Sequence, residues 1–114
     1  MIYKLFSILT VPFPFTDSLK SKRRPALVLS AKEFQAHTGH VTLLMITSAM
    51  HTSWFGDHKI LDLNKTGLTR ECIVRQKLFT IDLRLIINEI GQLSSEDINC
   101  VLQKIKEHFK TYPV

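Results

Sequence analysis

The chain has 114 residues, 45% of them hydrophobic, which suits one domain with one core and leaves no room for a separate binding domain. Its formal net charge of +5 favours polyanionic partners such as nucleic acids, and no apolar run is long enough to span a membrane. The two cysteines, Cys72 and Cys100, match no CxxC spacing, so they indicate reduced thiols in a cytoplasmic protein.

The first third of the chain predicts two strands separated by a polar loop. Residues 5–13 are apolar and β-rich, and residues 25–31 form a second compact apolar run. Between them, residues 15–24 are polar and carry four cations, which is typical of an exposed loop. Residues 33–39 are also polar and are predicted to be a connection between the second and third strands.

The middle of the chain predicts three more strands. Residues 41–47 are apolar on both faces, which indicates a buried strand, and residues 58–63 and 72–80 are the other two. Residues 49–57 are mixed in character and predict a short helix or a loop. Thr66-Gly67 signals a turn.

The last third predicts one more strand and the clearest element of the chain, a helix. Residues 85–90 form the short strand, which Gly91 is expected to end. Residues 94–109 have helical apolar spacing, with Ser94 as the N-cap and Asp97 at the third helical position. The order of elements predicts a small, strongly curved antiparallel sheet or open barrel that a C-terminal helix closes.

A cluster of cations lies in the predicted loop before the second strand: Lys20, Lys22, Arg23 and Arg24. Such a cluster can bind phosphate, and arginine suits this role because its planar fork pairs two oxygens. Arg24 directly precedes the apolar strand, so it should be held more rigidly than the lysines, as a catalytic cation requires. The same cluster is also compatible with a solvated loop.

Two further places offer polar groups at the predicted sheet. Thr47 and Ser48 end the third strand, where their hydroxyls can either bind a phosphate or ribose oxygen or satisfy the turn that follows. Arg75 and Lys77 are two residues apart on a strand, so they lie on one face and make it basic. That face can equally be a solvated side of the sheet.

These groups fit one reaction, the cleavage of RNA by its own 2′-hydroxyl. The protein must stabilise extra negative charge on the phosphate and assist proton transfer, and this chemistry needs no metal ion and no cofactor. Two arginines and a hydroxyl supply the charge stabilisation. The residue that acts as general base is less obvious.

Six segments, in their order, resemble the MazF/PemK (Kid-like) family of toxins from toxin–antitoxin systems: VPFPFTD, RRPALVLS, MITS, TGL, IVRQKLFTID and IGQLS. The resemblance implies a mainly β (α+β) fold, a small SH3-like antiparallel barrel of the CcdB/PemK type with a C-terminal helix. It also implies a homodimer that cuts single-stranded RNA without metal, leaving a 2′,3′-cyclic phosphate and a 5′-hydroxyl. A cognate antitoxin protein is expected to block the site.

Carried over by position, the resemblance implies catalytic roles for Arg24, Thr47 and Arg75. The residues expected to contact RNA surround them in the sequence: Phe15, Thr16, Asp17, Lys20, Lys22, Arg23, Ser48 and Lys77.

The chain departs from the family at the positions of Phe6 and Ser7, where many members have Gly-Asp, and at Lys77, where the PemK/Kid branch has an aspartate. Asp17 or a histidine is therefore a possible substitute for the general base. Two other functions stay open: a CcdB-like poison of gyrase that cuts no RNA, and a catalytically silent homologue that only binds RNA or an antitoxin.

Overall fold

A computed structural model describes residues 1–12, 22–48 and 51–109. In these ranges the chain forms six strands, two α-helices and one 3₁₀ turn. In chain order they are β1 Ser7–Pro12, β2 Arg23–Val28, α1 Lys32–Thr38, β3 His40–Thr47, β4 His58–Lys59, β5 Ile73–Asp82, the 3₁₀ turn Leu83–Leu85, β6 Asn88–Gln92 and α2 Ser95–His108.

The described strands form one antiparallel sheet in the order β4-β5-β3-β2-β1-β6. Its register shifts twice, between Ile8 and Leu9 on β1 and between Leu44 and Met45 on β3. Such irregularities bend a strand and increase its twist, so the sheet curls into a half-barrel. The predicted fold, a small curved antiparallel sheet with a C-terminal helix, is confirmed.

Alternate residues of each strand point to opposite faces of the sheet, and each face has its own apolar cluster. Leu9, Val28 and Leu43 belong to the first cluster, whereas Ile8, Leu27 and Leu44 belong to the second. Helix α2 covers the second cluster, with a fully buried Val101 and with Ile98 and Ile105 packed beside it. The apolar stripe of this helix is therefore mostly core, as its spacing predicts.

The polar connection predicted at residues 33–39 contains helix α1, which the sequence did not predict. Gln35 is buried at its centre, where its side chain accepts from the Tyr3 N–H and donates to the Tyr3 carbonyl, both at 2.8 Å. Gly39 ends the helix with φ of 69°, a left-handed conformation that glycine adopts without steric cost. A polar residue at the buried position conceals the apolar periodicity that would otherwise have indicated this helix.

Several predicted strand boundaries also need correction. Arg23 and Arg24 lie in β2 and not in the loop, and this strand ends at Val28, earlier than expected. The strand expected at residues 58–63 has only the two residues of β4, because the N–H groups of Leu61 and Asp62 donate to the carboxylate of Asp97 and not to a neighbouring strand.

The last strand is also displaced from its predicted bounds. Gly91 lies inside β6 and does not end it. A Cβ atom at this position would lie 2.2 Å from the carbonyl oxygen of Lys65. The glycine is therefore needed for the close approach of another backbone segment, a requirement that the sequence alone cannot distinguish from a strand end.

The carboxylate of Asp97 lies at the N-terminus of α2, has no solvent exposure and joins the helix to the sheet. Its two oxygens accept from the N–H groups of Leu61 and Asp62 and from the Ser94 hydroxyl, and Oδ1 lies 2.7 Å from Nε2 of His58. Ser94 in turn accepts from the Asp97 N–H at 3.1 Å, which confirms the predicted N-cap. Burial opposes ionisation of Asp97, but these hydrogen bonds outweigh it, so its pKa is lowered.

We expect Asp97→Asn to lower the free energy of unfolding by about 3 kcal/mol at pH 7, because an amide cannot accept from all of these donors. The lowered pKa means that the contribution of the carboxylate is complete above the unfolded value of about 3.9 and is lost as the pH falls through the folded value. Urea unfolding at pH 7, 5, 4 and 3 should show the difference between the two proteins shrinking only below about pH 4. Glu96→Gln, an exposed neighbour in the same helical turn, is the control and should change stability by less than about 1 kcal/mol.

Candidate functional site

A cavity of about 320 Å³ opens at one end of the sheet, where β1 and β3 finish and β2 begins. Its walls come from these strand ends, from residues 67–72 and from β6. The lining residues are Thr10, Arg23, Arg24, Pro25, Ile46, Thr47, Ser48, Gly67, Leu68, Thr69, Arg70, Cys72 and Ile90. The structure thus brings Arg24 and Thr47 together, although 22 residues separate them in the sequence.

The strand register explains how these two residues meet. Ala26 pairs with Met45, so two residues further along, Arg24 lies opposite Thr47 and on the same face. Val11 of β1 pairs with Arg24 on its other side, so the stem of this arginine lies between two strands. Thr47 is buried and Arg24 is half-buried. A cation and a hydroxyl are therefore held by rigid elements beside an open space.

The opposite wall of the cavity is held in place by contacts between backbone segments. Gly67 has φ of 76°, and a Cβ atom there would lie 2.2 Å from the carbonyl oxygen of Ile90. No other residue type fits this contact, so the turn presses against β6 and directs Thr69 and Arg70 towards the cavity. The Thr66-Gly67 signal predicted the turn, but nothing in the sequence indicated that it forms a wall of the site.

The described walls carry cations and hydroxyls and no carboxylate or imidazole. Arg23 and Arg70 are exposed and Arg24 is half-buried, so the cavity favours an anion. Burial raises the pKa of the Cys72 thiol, more than the nearby Arg70 lowers it. This thiol is therefore protonated at neutral pH, and charge stabilisation is what the described walls offer.

Arg75 does not line this cavity. Met45 pairs with both Ala26 and Arg75, so Arg75 shares a sheet face with Arg24 and Thr47. Its Nε and Nη2 donate to the two carboxylate oxygens of Asp57 at 3.0 and 2.9 Å, and Nη1 and Nη2 donate to Thr52. Four of the five N–H groups of the guanidinium are thus engaged within the protein. The side chain is only 6% exposed.

Trp54 lies beside the basic face that Arg75 and Lys77 form. The Cζ atom of Arg75 lies 5.5 Å from the indole centroid, and Nζ of Lys77 lies 5.7 Å from it, both within cation–π range. Sequence reasoning found the two cations but missed Asp57 and Trp54. Their segment has no periodicity, so only the folded chain shows that it packs on β5.

The other predicted RNA contacts are partly described. Lys22 and Ser48 are exposed next to the cavity strands, and Arg23 lies on its wall. Phe15, Thr16, Asp17 and Lys20 lie outside the described residues. Within the described ranges, no helix is both long and apolar enough to cross a lipid bilayer.

The fold is similar to that of several solved proteins. The toxin MazF-mt6 of Mycobacterium tuberculosis has a TM-score of 0.71 and 20% identity, over 89% of this chain and 93% of that chain. MazF (Form-I) from Deinococcus radiodurans has a TM-score of 0.73 and 15% identity, over 95% of this chain and 96% of that chain. An endoribonuclease from a mycobacterial species, solved in complex with its cognate antitoxin, has a TM-score of 0.74 and 11% identity, over 92% of each chain.

At these identities the likeness shows the fold, and no curated protein sequence matches this chain significantly. The family is identified by the sequence itself. Residues 4–109 match the family described as "PemK-like, MazF-like toxin of type II toxin-antitoxin system". The resemblance that the sequence motifs indicated is confirmed, and this chain belongs to the PemK/MazF family of toxins from type II toxin–antitoxin systems.

Proposed function

We propose that this toxin is an endoribonuclease that cuts single-stranded RNA without a metal ion. Its products are a 2′,3′-cyclic phosphate and a 5′-hydroxyl, and the cutting of mRNA in the cytoplasm stops translation and growth. The observation that carries the proposal is the cavity at the end of the sheet, where Arg24 and Thr47 lie side by side.

In the proposed reaction, the ribose 2′-oxygen attacks the adjacent phosphorus and loses its proton. A new P–O bond closes the cyclic phosphate, the bond to the 5′-oxygen breaks, and that oxygen gains a proton. Negative charge accumulates on the non-bridging oxygens during this step, so donors that are already in place lower the barrier. Arg24 supplies charge and a planar fork of donors, and the hydroxyl of Thr47 supplies a neighbouring donor.

Exposed groups around the cavity bind the RNA backbone in this proposal. Lys22 and Arg23 directly precede Arg24 in the chain, and Ser48 and Arg70 lie on the other sides of the opening. These exposed cations contribute to affinity through phosphate contacts and so make binding sensitive to salt.

The toxin is proposed to act as a homodimer and to be blocked by an antitoxin protein. Structural relatives support the proposal of an antitoxin, because one endoribonuclease was solved with its cognate antitoxin and the Deinococcus radiodurans MazF was solved with MazE. A basic cavity of this kind suits an acidic antitoxin segment, which would compete with RNA for the same cations.

Arg24→Ala should lower kcat about a hundredfold or more, because one preorganised donor to the transition state has this effect. Arg24→Lys should restore only part of the rate, since it keeps the charge but loses the fork. The assay is cleavage of a mixed-sequence RNA in EDTA, with cyclic-phosphate ends identified by mass spectrometry.

Lys22→Ala is the matched control for Arg24, since it removes a nearby exposed cation. It should raise KM and reduce the salt dependence of binding while leaving kcat nearly unchanged. Wild-type kcat in Arg24→Ala would contradict the role of Arg24. If the folded protein leaves every RNA intact, the proposed nuclease function is wrong. Inhibition of DNA supercoiling by the same protein would then identify a gyrase poison.

Arg75→Gln and Asp57→Asn should each lower the free energy of unfolding by about 3 kcal/mol, because each leaves a buried charge without its partner. The double variant should show a coupling energy of at least about 1 kcal/mol in urea unfolding. Additive losses would mean that the ion pair does not stabilise the fold.

The same two variants separate a structural role of Arg75 from its proposed role as a charge stabiliser. If Arg75 also contacts the scissile phosphate, kcat per folded molecule should fall at least tenfold more in Arg75→Gln than in Asp57→Asn. Equal kcat values for the two variants would leave Arg75 as a positioning residue for the segment from Thr52 to Asp57.

A further inference from the structure

A second, smaller cavity lies away from the cavity that Arg24 lines, at the edge of β5 beyond the end of β4. Its volume is about 230 Å³, and Trp54, Phe55, Gln76 and His108 line it. The segment that carries Trp54 and Phe55 wraps around this edge, and a Cβ atom at Gly56 would lie 2.8 Å from Cγ of Gln76. The end of α2 forms the other wall through His108.

The amide of Gln76 is the chemically unusual part of this cavity. Gln76 is only 7% exposed, and its Oε1 lies 3.0 Å from Nδ1 of His108. Its Nε2 is buried and has no hydrogen-bond partner. One end of the amide is unsatisfied whichever way the group is oriented, and a buried polar group without a partner costs free energy. A ligand that accepts a hydrogen bond here would remove that cost.

The remaining walls are aromatic and unusually open. Trp54 is 47% exposed and Phe55 is 78% exposed, although large aromatic side chains are normally buried. On the opposite side, the rings of His108 and Phe109 stack with centroids 4.4 Å apart and an interplanar angle of 9°. These flat surfaces can stack on a planar group, as aromatic side chains do with the bases of single-stranded nucleic acid.

The charge around this cavity favours a nucleotide. Arg75 and Lys77 both lie within cation–π range of the indole, and the negative charge of Asp57 is matched by Arg75. Both cations therefore lie beside the indole, where a phosphate next to a stacked base can contact them. A nucleobase offers both a π face for Trp54 and a hydrogen-bond acceptor for Gln76, whereas an acidic side chain offers only the acceptor.

The position of this second cavity relative to the cavity that Arg24 lines also suits the binding of one RNA strand. Thr47 pairs with Ile73, and Arg75 is two residues further along β5. Diagonal neighbours of this kind are roughly 7–8 Å apart. Because Trp54 packs against Arg75, the second cavity lies beside the part of the sheet that carries Thr47.

We propose that the cavity formed by Trp54, Phe55, Gln76 and His108 binds one base of the RNA substrate, at a nucleotide flanking the cleaved bond. With His108 donating to Oε1, the Gln76 amide presents N–H, so the pocket suits a base that presents a hydrogen-bond acceptor, such as the carbonyl oxygen of uracil. This inference rests on the proposed nuclease function and adds a specificity pocket to it.

Trp54 is the single tryptophan of the chain, so its fluorescence reports directly on this pocket. The probe is a 2′-O-methyl oligouridine, whose methyl groups block the attacking oxygen and prevent cleavage. Binding should quench Trp54, whereas a 2′-O-methyl oligomer of abasic residues, of the same length and at the same salt concentration, should not.

Two variants test the walls of the pocket separately. Phe55→Ala should weaken oligouridine binding about tenfold, whereas Phe34→Ala, an exposed aromatic residue on α1, should not change it. Gln76→Leu should weaken binding about tenfold without lowering the melting temperature, because it removes an unsatisfied amide. A purely structural Gln76 would instead lower the melting temperature and leave the binding of the folded protein unchanged.

The base pocket and the proposed nuclease function can fail independently of each other. Cleavage of RNA in EDTA together with no quenching of Trp54 would overturn the base pocket and leave the nuclease intact. Equal binding by the variants Phe55→Ala, Gln76→Leu and Phe34→Ala would also overturn it. Quenching by a polyglutamate peptide and not by oligouridine would assign the cavity to a protein partner, against the proposal.

Discussion

The buried carboxylate of Asp97 is the interaction on which the arrangement of the site depends. It accepts from the N–H groups of Leu61 and Asp62, which follow β4, and from the Ser94 hydroxyl, and it lies within hydrogen-bond distance of His58 on β4. The carboxylate therefore joins β4 and the segment after it to the first turn of α2. Since the N–H groups of Leu61 and Asp62 are used in this way, the chain leaves the sheet after Lys59. The released segment then packs through Gly67 against β6 and becomes the second wall of the cavity.

The two arginines that the sequence singles out lie in different electrostatic surroundings. Arg24 lies at the open end of the sheet, half-buried and beside the exposed cations Arg23 and Arg70. Arg75 lies on the same sheet face but its charge is already matched by Asp57 in a nearly buried ion pair. The desolvation cost of such a pair is met only while both partners stay in place. The structure therefore separates an arginine on the wall of the cavity from one that holds the neighbouring segment.

Two of the three departures from the family pattern, at Phe6 and Lys77, can be related to the structure. Phe6 stands where many members have glycine, and it adopts φ of 68°, the left-handed conformation that glycine favours. A non-glycine residue there costs about 1–2 kcal/mol, but the backbone of Phe6 is held by Val28 and Leu93, and its side chain packs against the second apolar cluster. Lys77 replaces the acid two residues after Arg75, and the carboxylate next to this arginine comes from Asp57 instead.

The sequence by itself determined the features that depend on local patterns. Apolar runs marked the main strands, helical spacing with the Ser94 cap marked α2, and ordered motifs identified the family. Tertiary structure decided which distant groups meet. Helix α1 depends on Gln35 bonding to Tyr3, which is 32 residues away, and the ion pair of Arg75 joins residues 18 apart. The base pocket depends on Gln76 and His108, separated by 32 residues. Such contacts follow from strand register, bulges and the path of segments without periodicity, and local propensity carries no information about them.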